Sequence, residues 1–188
     1  MSKRAWQRED RALDDAALDA ATAHYASARE VDQTQQLSTL VFRLGGEWLG
    51  IPTSLLERIA DPTIVHSLPH RRAGTTAGLV NVGGNLIVHV SLAGLLDAAA
   101  GTPAGHRAAT HHRAVERLVV LADARGRLAI TVDEVWGVVH HEAAQLKPVP
   151  PTLRTASAFT SAILGVDGHT VGYLDAARLM DALSSAIA

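Results

Sequence analysis

The sequence of 188 residues contains no cysteine, few aromatic residues (4%) and a formal charge of only −2. Without cysteine there can be no disulfide, no thiolate ligand for zinc and no cysteine nucleophile, which fits a reducing compartment. The nearly balanced charge leaves no basic footprint for nucleic acid, and the scarcity of aromatic rings argues against base stacking. We therefore expect no nucleic-acid partner.

A long hydrophobic run is also missing, although 47% of the residues are hydrophobic. No apolar stretch approaches the roughly 18 residues that cross a bilayer. Residues 1–10 turn acidic where a secretory signal would become apolar. These features predict a soluble, cytoplasmic protein with no membrane insertion. The hydrophobic residues suffice for the core of one domain with an appendage.

The sequence lacks the motifs of common catalytic and ligand sites. It has no G-x-x-x-x-G-K-[ST] phosphate loop and no G-x-S-x-G nucleophile elbow. The adjacent pairs His111-His112 and His140-His141 cannot converge on one metal ion, because neighbours diverge on a helix and alternate faces on a strand. Asp133 and Glu134 diverge for the same reason, so Asp133 fits a strand-terminal or helix-capping acid better than an acid–base pair. We predict no catalytic residue, cofactor or metal; a ligand- or metal-responsive regulator that uses the histidines is the alternative.

The chain divides into three regions by composition. Residues 1–36 are rich in alanine and repeat apolar residues at intervals of three, four or seven, which predicts a helical N-terminal extension that ends in a polar linker. Residues 37–183 change to short β-type segments separated by glycine turns. Within them, residues 98–114 are rich in Ala, Gly, Thr and His, which predicts a mobile connection.

The β-rich region contains an internal repeat that begins with two similar hairpins. The apolar positions Leu40, Phe42, Ile51, Leu56 and Ile59 recur 79 residues later as Val119, Leu121, Ile130, Val135 and Val138. Residues 79–87 and 163–171 match at an offset of 84. Each of these blocks precedes a short apolar helix, Leu92 to Leu96 and Ala176 to Leu183. The repeat predicts two similar β-rich subdomains that share one core, with halves at about 37–97 and 115–183.

Several motifs follow one another in a family-specific order. Residues 40–47 read L-V-F-R-L-G-G-E, and residues 78–87 read G-L-V-N-V-G-G-N-L-I. They are followed by V-D-x-V-x-x-V at 132–138, by L-K-P-V-P at 146–150, and by the C-terminal I-L-G and Y-L-D. Together they resemble the CheW-like family of chemotaxis coupling proteins over about residues 37–183. The resemblance implies a mainly β fold of two SH3-like five-stranded β-barrel subdomains with short helices, in addition to the N-terminal extension.

The resemblance also implies a function. It implies a non-catalytic adaptor that couples a methyl-accepting chemoreceptor to a CheA-type histidine kinase within membrane receptor arrays. The expected partners are the tip of the receptor's cytoplasmic helical hairpin and the regulatory domain of the kinase. Affinity in such an adaptor must come from apolar patches with polar rims.

Some positions match the partner surfaces of the family. The receptor-facing positions are Leu56, Arg58, Ile59, Val135 and Val138. Periodicity alone fits a core role equally well for the four apolar members of this set. Leu118 and Ala129 lie on strands that resemble the kinase-facing surface.

The central motif departs from the family at one position. Asn81, Gly83 and Gly84 form its predicted hairpin turn, but Gly83 stands where the family has arginine. Arg58 in turn replaces an acid that is common in the family. Either an ion pair was removed as a unit, or this adaptor binds a different receptor. A module that binds kinase but no receptor is a further alternative. Residues 65–82, with the N-terminal extension, are similar to couplers of Wsp-type pathways, which control a diguanylate cyclase.

Overall fold

The computed structural model describes residues 36–67, 76–100, 116–150 and 158–187. The strands of these segments are β1 (Gln36–Leu44), β2 (Glu47–Pro52), β3 (Leu56–Ala60), β4 (Thr76–Val82), β5 (Asn85–Val90), β6 (Arg117–Asp123), β7 (Gly126–Val132), β8 (Glu134–Glu142), β9 (Thr160–Val166) and β10 (His169–Leu174). The helices are α1 (Leu92–Ala100) and α2 (Ala176–Ser185), and single 3-10 turns occupy Thr53–Leu55 and Ala143–Gln145. The predicted helical extension lies outside the described residues, except that Gln36 already begins β1.

The hairpins form where the sequence places glycine between apolar runs. Gly45 and Gly46 connect β1 to β2, and Gly83 and Gly84 connect β4 to β5. The φ angles of Gly83 and Gly84 are 58° and 87°, a left-handed pair that suits the right-handed twist of a two-residue hairpin. Asn81 supports this turn, because its Oδ1 accepts a hydrogen bond from the Gly84 N–H at 2.9 Å.

The ten strands form two five-stranded sheets whose orders are related by the internal repeat. Sheet A has the order β8-β1-β2-β10-β9, and sheet B has the order β3-β6-β7-β5-β4. Each strand from β1 to β5 has a counterpart five places later, from β6 to β10. Replacing every strand by its counterpart converts the strand order of one sheet into that of the other. Each sheet therefore contains strands from both halves of the chain. The predicted boundaries, 37–97 and 115–183, mark the repeat in the sequence but do not separate the two sheets.

Each sheet curls because its first edge strand continues into a segment that reaches the last strand. His66 follows β3 and exchanges two backbone hydrogen bonds of 2.8 Å with Leu79 on β4. Lys147 follows β8 and forms the equivalent bridge with Ile163 on β9. The first bridge depends on Gly78, where a Cβ atom would lie 2.0 Å from the His66 carbonyl oxygen. This curling agrees with the expected SH3-like character.

Three hydrophobic clusters stabilise the two sheets. The central cluster joins both sheets to α1 and α2 and contains Ile51, Leu96, Ile130 and Leu183. A second cluster lies within sheet B and a third within sheet A. Each fully buried aliphatic side chain contributes roughly 1.5–3 kcal/mol through removal of apolar surface from water. The central cluster contains residues from both halves of the repeat, whereas the division of the chain into two subdomains stays a prediction.

The two helices close the repeats and pack on the central cluster. The side chain of Asp175 accepts a hydrogen bond from the Arg178 N–H at 2.9 Å and so caps the start of α2. The prediction for α2 is confirmed, with two further residues at its C-terminal end. The prediction for α1 was too short, because the helix runs on to Ala100 and includes the first residues assigned to a mobile connection. None of the helices in the described segments is long and apolar enough to cross a membrane.

Candidate functional site

The histidines on β8 point to opposite sides of sheet A. His140 is exposed, and its Nδ1 lies 2.8 Å from the Ser38 hydroxyl. His141 is buried, and its Nε2 lies 2.8 Å from the Thr39 hydroxyl. The divergence expected of neighbours on a strand therefore holds for this pair. His111-His112 lies outside the described residues, within which no three His, Asp or Glu side chains are grouped so as to hold a metal ion.

Asp133 fixes the junction between β7 and β8. Its side chain is buried, and Oδ2 accepts a hydrogen bond from the Gly45 N–H at 2.6 Å. Burial raises the pKa of this carboxyl above its ordinary value, against the opposing effects of the Gly45 N–H and the Arg43 charge. Glu134 instead pairs with Arg43 at 3.0 Å. The two neighbouring acids thus have separate structural contacts, and Asp133 ends a strand as its position indicated.

His89 is a buried polar residue that sequence patterns did not single out. It lies on β5, and its Nε2 is 2.8 Å from the Thr131 hydroxyl on β7. Its Nδ1 has no hydrogen-bond partner within the described part of the chain. Burial lowers the pKa of the imidazole, so the neutral form is favoured. No charged partner accompanies this shift, and the arrangement fits a structural cross-strand contact.

The predicted receptor-facing residues lie on two edge strands, β3 in sheet B and β8 in sheet A. Leu56 and Val135 are half-buried, and both pack against the central cluster. Ile59 and Val138 are 37% and 46% exposed on these strands. Leu56 and Val135 therefore contact the same cluster, whereas Ile59 and Val138 stay accessible to solvent. The core interpretation holds in part for Leu56 and Val135, whereas Ile59 and Val138 are available for contact.

Arg58 and Gly83 are neighbours in space. A Cβ atom on residue 83 would lie only 3.0 Å from Nη1 of Arg58. The two departures from the family pattern therefore occur at one place on the surface, between β3 and the β4–β5 turn. Arg58 is exposed on its strand.

An aromatic cluster of Trp48, Trp136 and His169 joins three strands of sheet A. The centroids of the three rings lie 5.5–5.7 Å apart, and the two indoles meet edge to face. Trp136 occupies a β-bulge, since Val41 pairs with Gly137 and Phe42 with Val135. Trp136 remains 46% exposed. Sequence analysis missed this cluster, because its members are far apart in the chain and nothing local identifies the bulge.

A family model described as the CheW-like domain matches residues 38–184. This chain belongs to the CheW-like family. The crystal structure of the scaffolding protein TtCheW from Thermoanaerobacter tengcongensis matches with a TM-score of 0.60. The match has 17% sequence identity and covers 74% of this chain and 84% of TtCheW. At this identity the likeness shows the fold. A search of the curated proteins gives no match.

The CheW-like assignment confirms the family predicted from the order of the motifs. It also agrees with the mainly β architecture of two five-stranded sheets with short helices. The narrower similarity to Wsp-type couplers stays a prediction.

The residues assigned to the kinase-facing surface of this CheW-like chain are buried. Leu118 and Ala129 are 1% and 0% exposed and belong to the cluster within sheet B. Their side chains face the interior, so a kinase bound at β6 and β7 would contact neighbouring residues. The kinase-facing role of these strands stays a prediction.

Proposed function

We propose that this CheW-like chain is a non-catalytic adaptor that couples a methyl-accepting chemoreceptor to a CheA-type histidine kinase. The family match over residues 38–184 carries this proposal, because it spans both sheets. The receptor partner would be the cytoplasmic hairpin tip, and the kinase partner would be its regulatory domain. The adaptor would act in the cytoplasm, at membrane receptor arrays.

The described surface supports an adaptor that works through contact. Ile59, Trp136 and Val138 are exposed large hydrophobic residues on or beside the two edge strands. Polar side chains flank them, among them Arg58 and His140. Apolar anchors with a polar rim are the usual composition of a protein interface. Such a surface needs no converging reactive groups.

The direct test is co-purification of the full chain with the soluble cytoplasmic fragment of its receptor and with the CheA-type kinase. Binding to both is expected. Failure to bind either partner contradicts the proposal. Binding to the kinase alone would favour the alternative of a module that does not couple a receptor.

Val138→Asp is the sharpest single variant for the receptor arm. The side chain is nearly half exposed, so a carboxylate can be solvated without unfolding the sheet. Loss of receptor binding with an unchanged melting temperature is expected. Leu86→Asp is the matched control, because Leu86 is 69% exposed on β5 of sheet B, a different sheet from that of β8. Equal receptor binding by wild type and Val138→Asp would remove β8 from the proposed surface.

A further inference from the structure

Arg58 differs from every other arginine in the described segments. The others each lie near a carboxylate: Arg43 with Glu134, Arg117 with Asp61, Arg125 with Asp123 and Asp181, Arg127 with Glu57, and Arg178 with Asp175. Arg58 has no ion pair or hydrogen bond with any residue that the structure describes. Its neighbour Glu57 is engaged with Arg127 at 3.4 Å and so does not neutralise it.

The surroundings of Arg58 leave its charge exposed at the edge of a sheet. Its strand, β3, lies at the edge of sheet B, and the next residue, Ile59, is exposed on the opposite face of the strand. The β4–β5 turn contributes Gly83, which has no side chain to cover the guanidinium. A planar guanidinium can bind a carboxylate through two parallel hydrogen bonds. Arginine is also one of the residue types enriched among those that dominate protein interfaces.

Gly83 lies beside this guanidinium and adds no side chain there. Residue 83 has a φ of 58°, which strains most side chains, and a Cβ atom there would press on Nη1 of Arg58. An arginine at this position would in addition place a like charge against Arg58. The glycine therefore places no side chain against the cation.

We infer that Arg58 determines partner specificity on the β3 surface by binding a carboxylate of the docked protein. This inference rests on the proposed function, in which that protein is the receptor's cytoplasmic hairpin. The complementary receptor would present an aspartate or glutamate to meet Arg58. A receptor with a basic residue at that point would be rejected, because like charges across an interface oppose binding.

The test measures the affinity of the full chain for the purified cytoplasmic receptor fragment at low and high salt. Arg58→Glu is expected to weaken binding on the order of tenfold or more and to reduce its salt dependence. Arg58→Lys is expected to lose less, since the charge remains but the planar fork does not. Arg178→Glu is the matched control, because it makes the same charge change at an exposed site on α2. Melting temperatures and kinase binding are expected to stay unchanged.

A second measurement identifies the carboxylate. Single acidic residues of the receptor fragment are replaced by lysine, and one of these variants is expected to restore binding to Arg58→Glu. Equal affinities of wild type and Arg58→Glu, or the absence of any restoring variant, would overturn the inference while leaving receptor coupling intact. If the wild-type chain binds the kinase but not the receptor fragment, receptor coupling is contradicted. The inference about Arg58 is then contradicted as well.

Discussion

Two equivalent places in the repeat carry opposite chemistry. Trp48 and Trp136 in sheet A correspond, at an offset of 79, to Arg127 and Glu57 in sheet B. The first pair stacks edge to face at 5.5 Å, whereas the second forms an ion pair at 3.4 Å. The same framework thus presents an aromatic surface on one sheet and a charged surface on the other. This difference fits the proposed coupling of two unlike partners, because one patch cannot favour both.

The interiors of the sheets diverge less than these surfaces. In the clusters within the sheets, Val41, Leu164 and Val171 of sheet A correspond to Val120, Val80 and Ile87 of sheet B. One exception is polar: buried Thr39, bonded to His141, stands where sheet B has Leu118. The two sheets therefore keep apolar side chains of similar volume at equivalent packed positions. A polar side chain replaces an apolar one where it can form a hydrogen bond.

The largest expected effect would test whether the two halves contribute equally to the central cluster. Ile51 and Ile130 are counterparts, and both are completely buried in the central cluster. Ile51→Ala and Ile130→Ala are each expected to lower the free energy of unfolding by about 2–5 kcal/mol through the cavity they leave. Urea denaturation measures both. A change of under 1 kcal/mol at one site alone would break the proposed equivalence of the halves.

The bridges that curl the sheets differ in their need for glycine. Gly78 has a φ of 145° and closely approaches His66, whereas its counterpart at an offset of 84 is Ala162. Gly78→Ala is expected to destabilise the fold by about 1–3 kcal/mol, since it combines strain with a backbone clash. Thermal unfolding measures the change. Gly165→Ala is the control, because a Cβ atom there meets nothing within 4 Å, and an equal loss in both variants would contradict the explanation.

Double-mutant cycles compare the aromatic pair with the ion pair. The coupling of Trp48 with Trp136 is expected to be about 0.5–1.5 kcal/mol and insensitive to salt. The coupling of Glu57 with Arg127 is expected to be about 0–1 kcal/mol and to fall at high salt, because both side chains are partly exposed. Chemical denaturation at two salt concentrations measures each cycle. Salt-sensitive coupling of the tryptophans would contradict the contact described for them.

The smallest expected effect is a pH dependence confined to sheet B. Burial lowers the pKa of His89 from 6.5, so the unfolded chain binds this proton more readily than the folded chain. Stability should therefore fall as the pH drops from about 6.5 through the lower folded pKa, and its full value should return above that range. Melting curves of wild type and His89→Gln measure it. The wild type should lose more stability between pH 7.5 and 5.5, and parallel losses would exclude His89 as the cause.

Local patterns predicted the hairpins, the helix at Ala176 and the periodicity that relates the halves. Glycines at 45–46 and 83–84 were sufficient signals, because turn geometry depends on neighbouring residues. The assembly of each sheet from strands of both halves could not be predicted in this way. The pairing of β1 with β8 and of β3 with β6 depends on side chains many residues apart, and no local propensity specifies it. The aromatic cluster was missed for the same reason, because it forms only when β8 bulges beside β1.

Sequence patterns also could not separate core from surface on the edge strands. Leu56 and Ile59 have similar hydrophobicity, yet one packs on the central cluster and the other is exposed. The spatial contact of Arg58 with Gly83 joins two departures that were noted separately in the sequence. Whether either position contacts a receptor stays a prediction.

The mixing of strands from both halves of the chain in each sheet has a consequence for synthesis on the ribosome. When residues 36–100 emerge, only the β1–β2 and β4–β5 hairpins find partners, because β3 must wait for β6, and β1 for β8. Both sheets are completed only after the second half of the chain has been translated. The nascent first half exposes apolar edges during that interval and should depend on chaperones. For the same reason, we expect neither half to fold when it is expressed alone, although each carries one complete copy of the repeat.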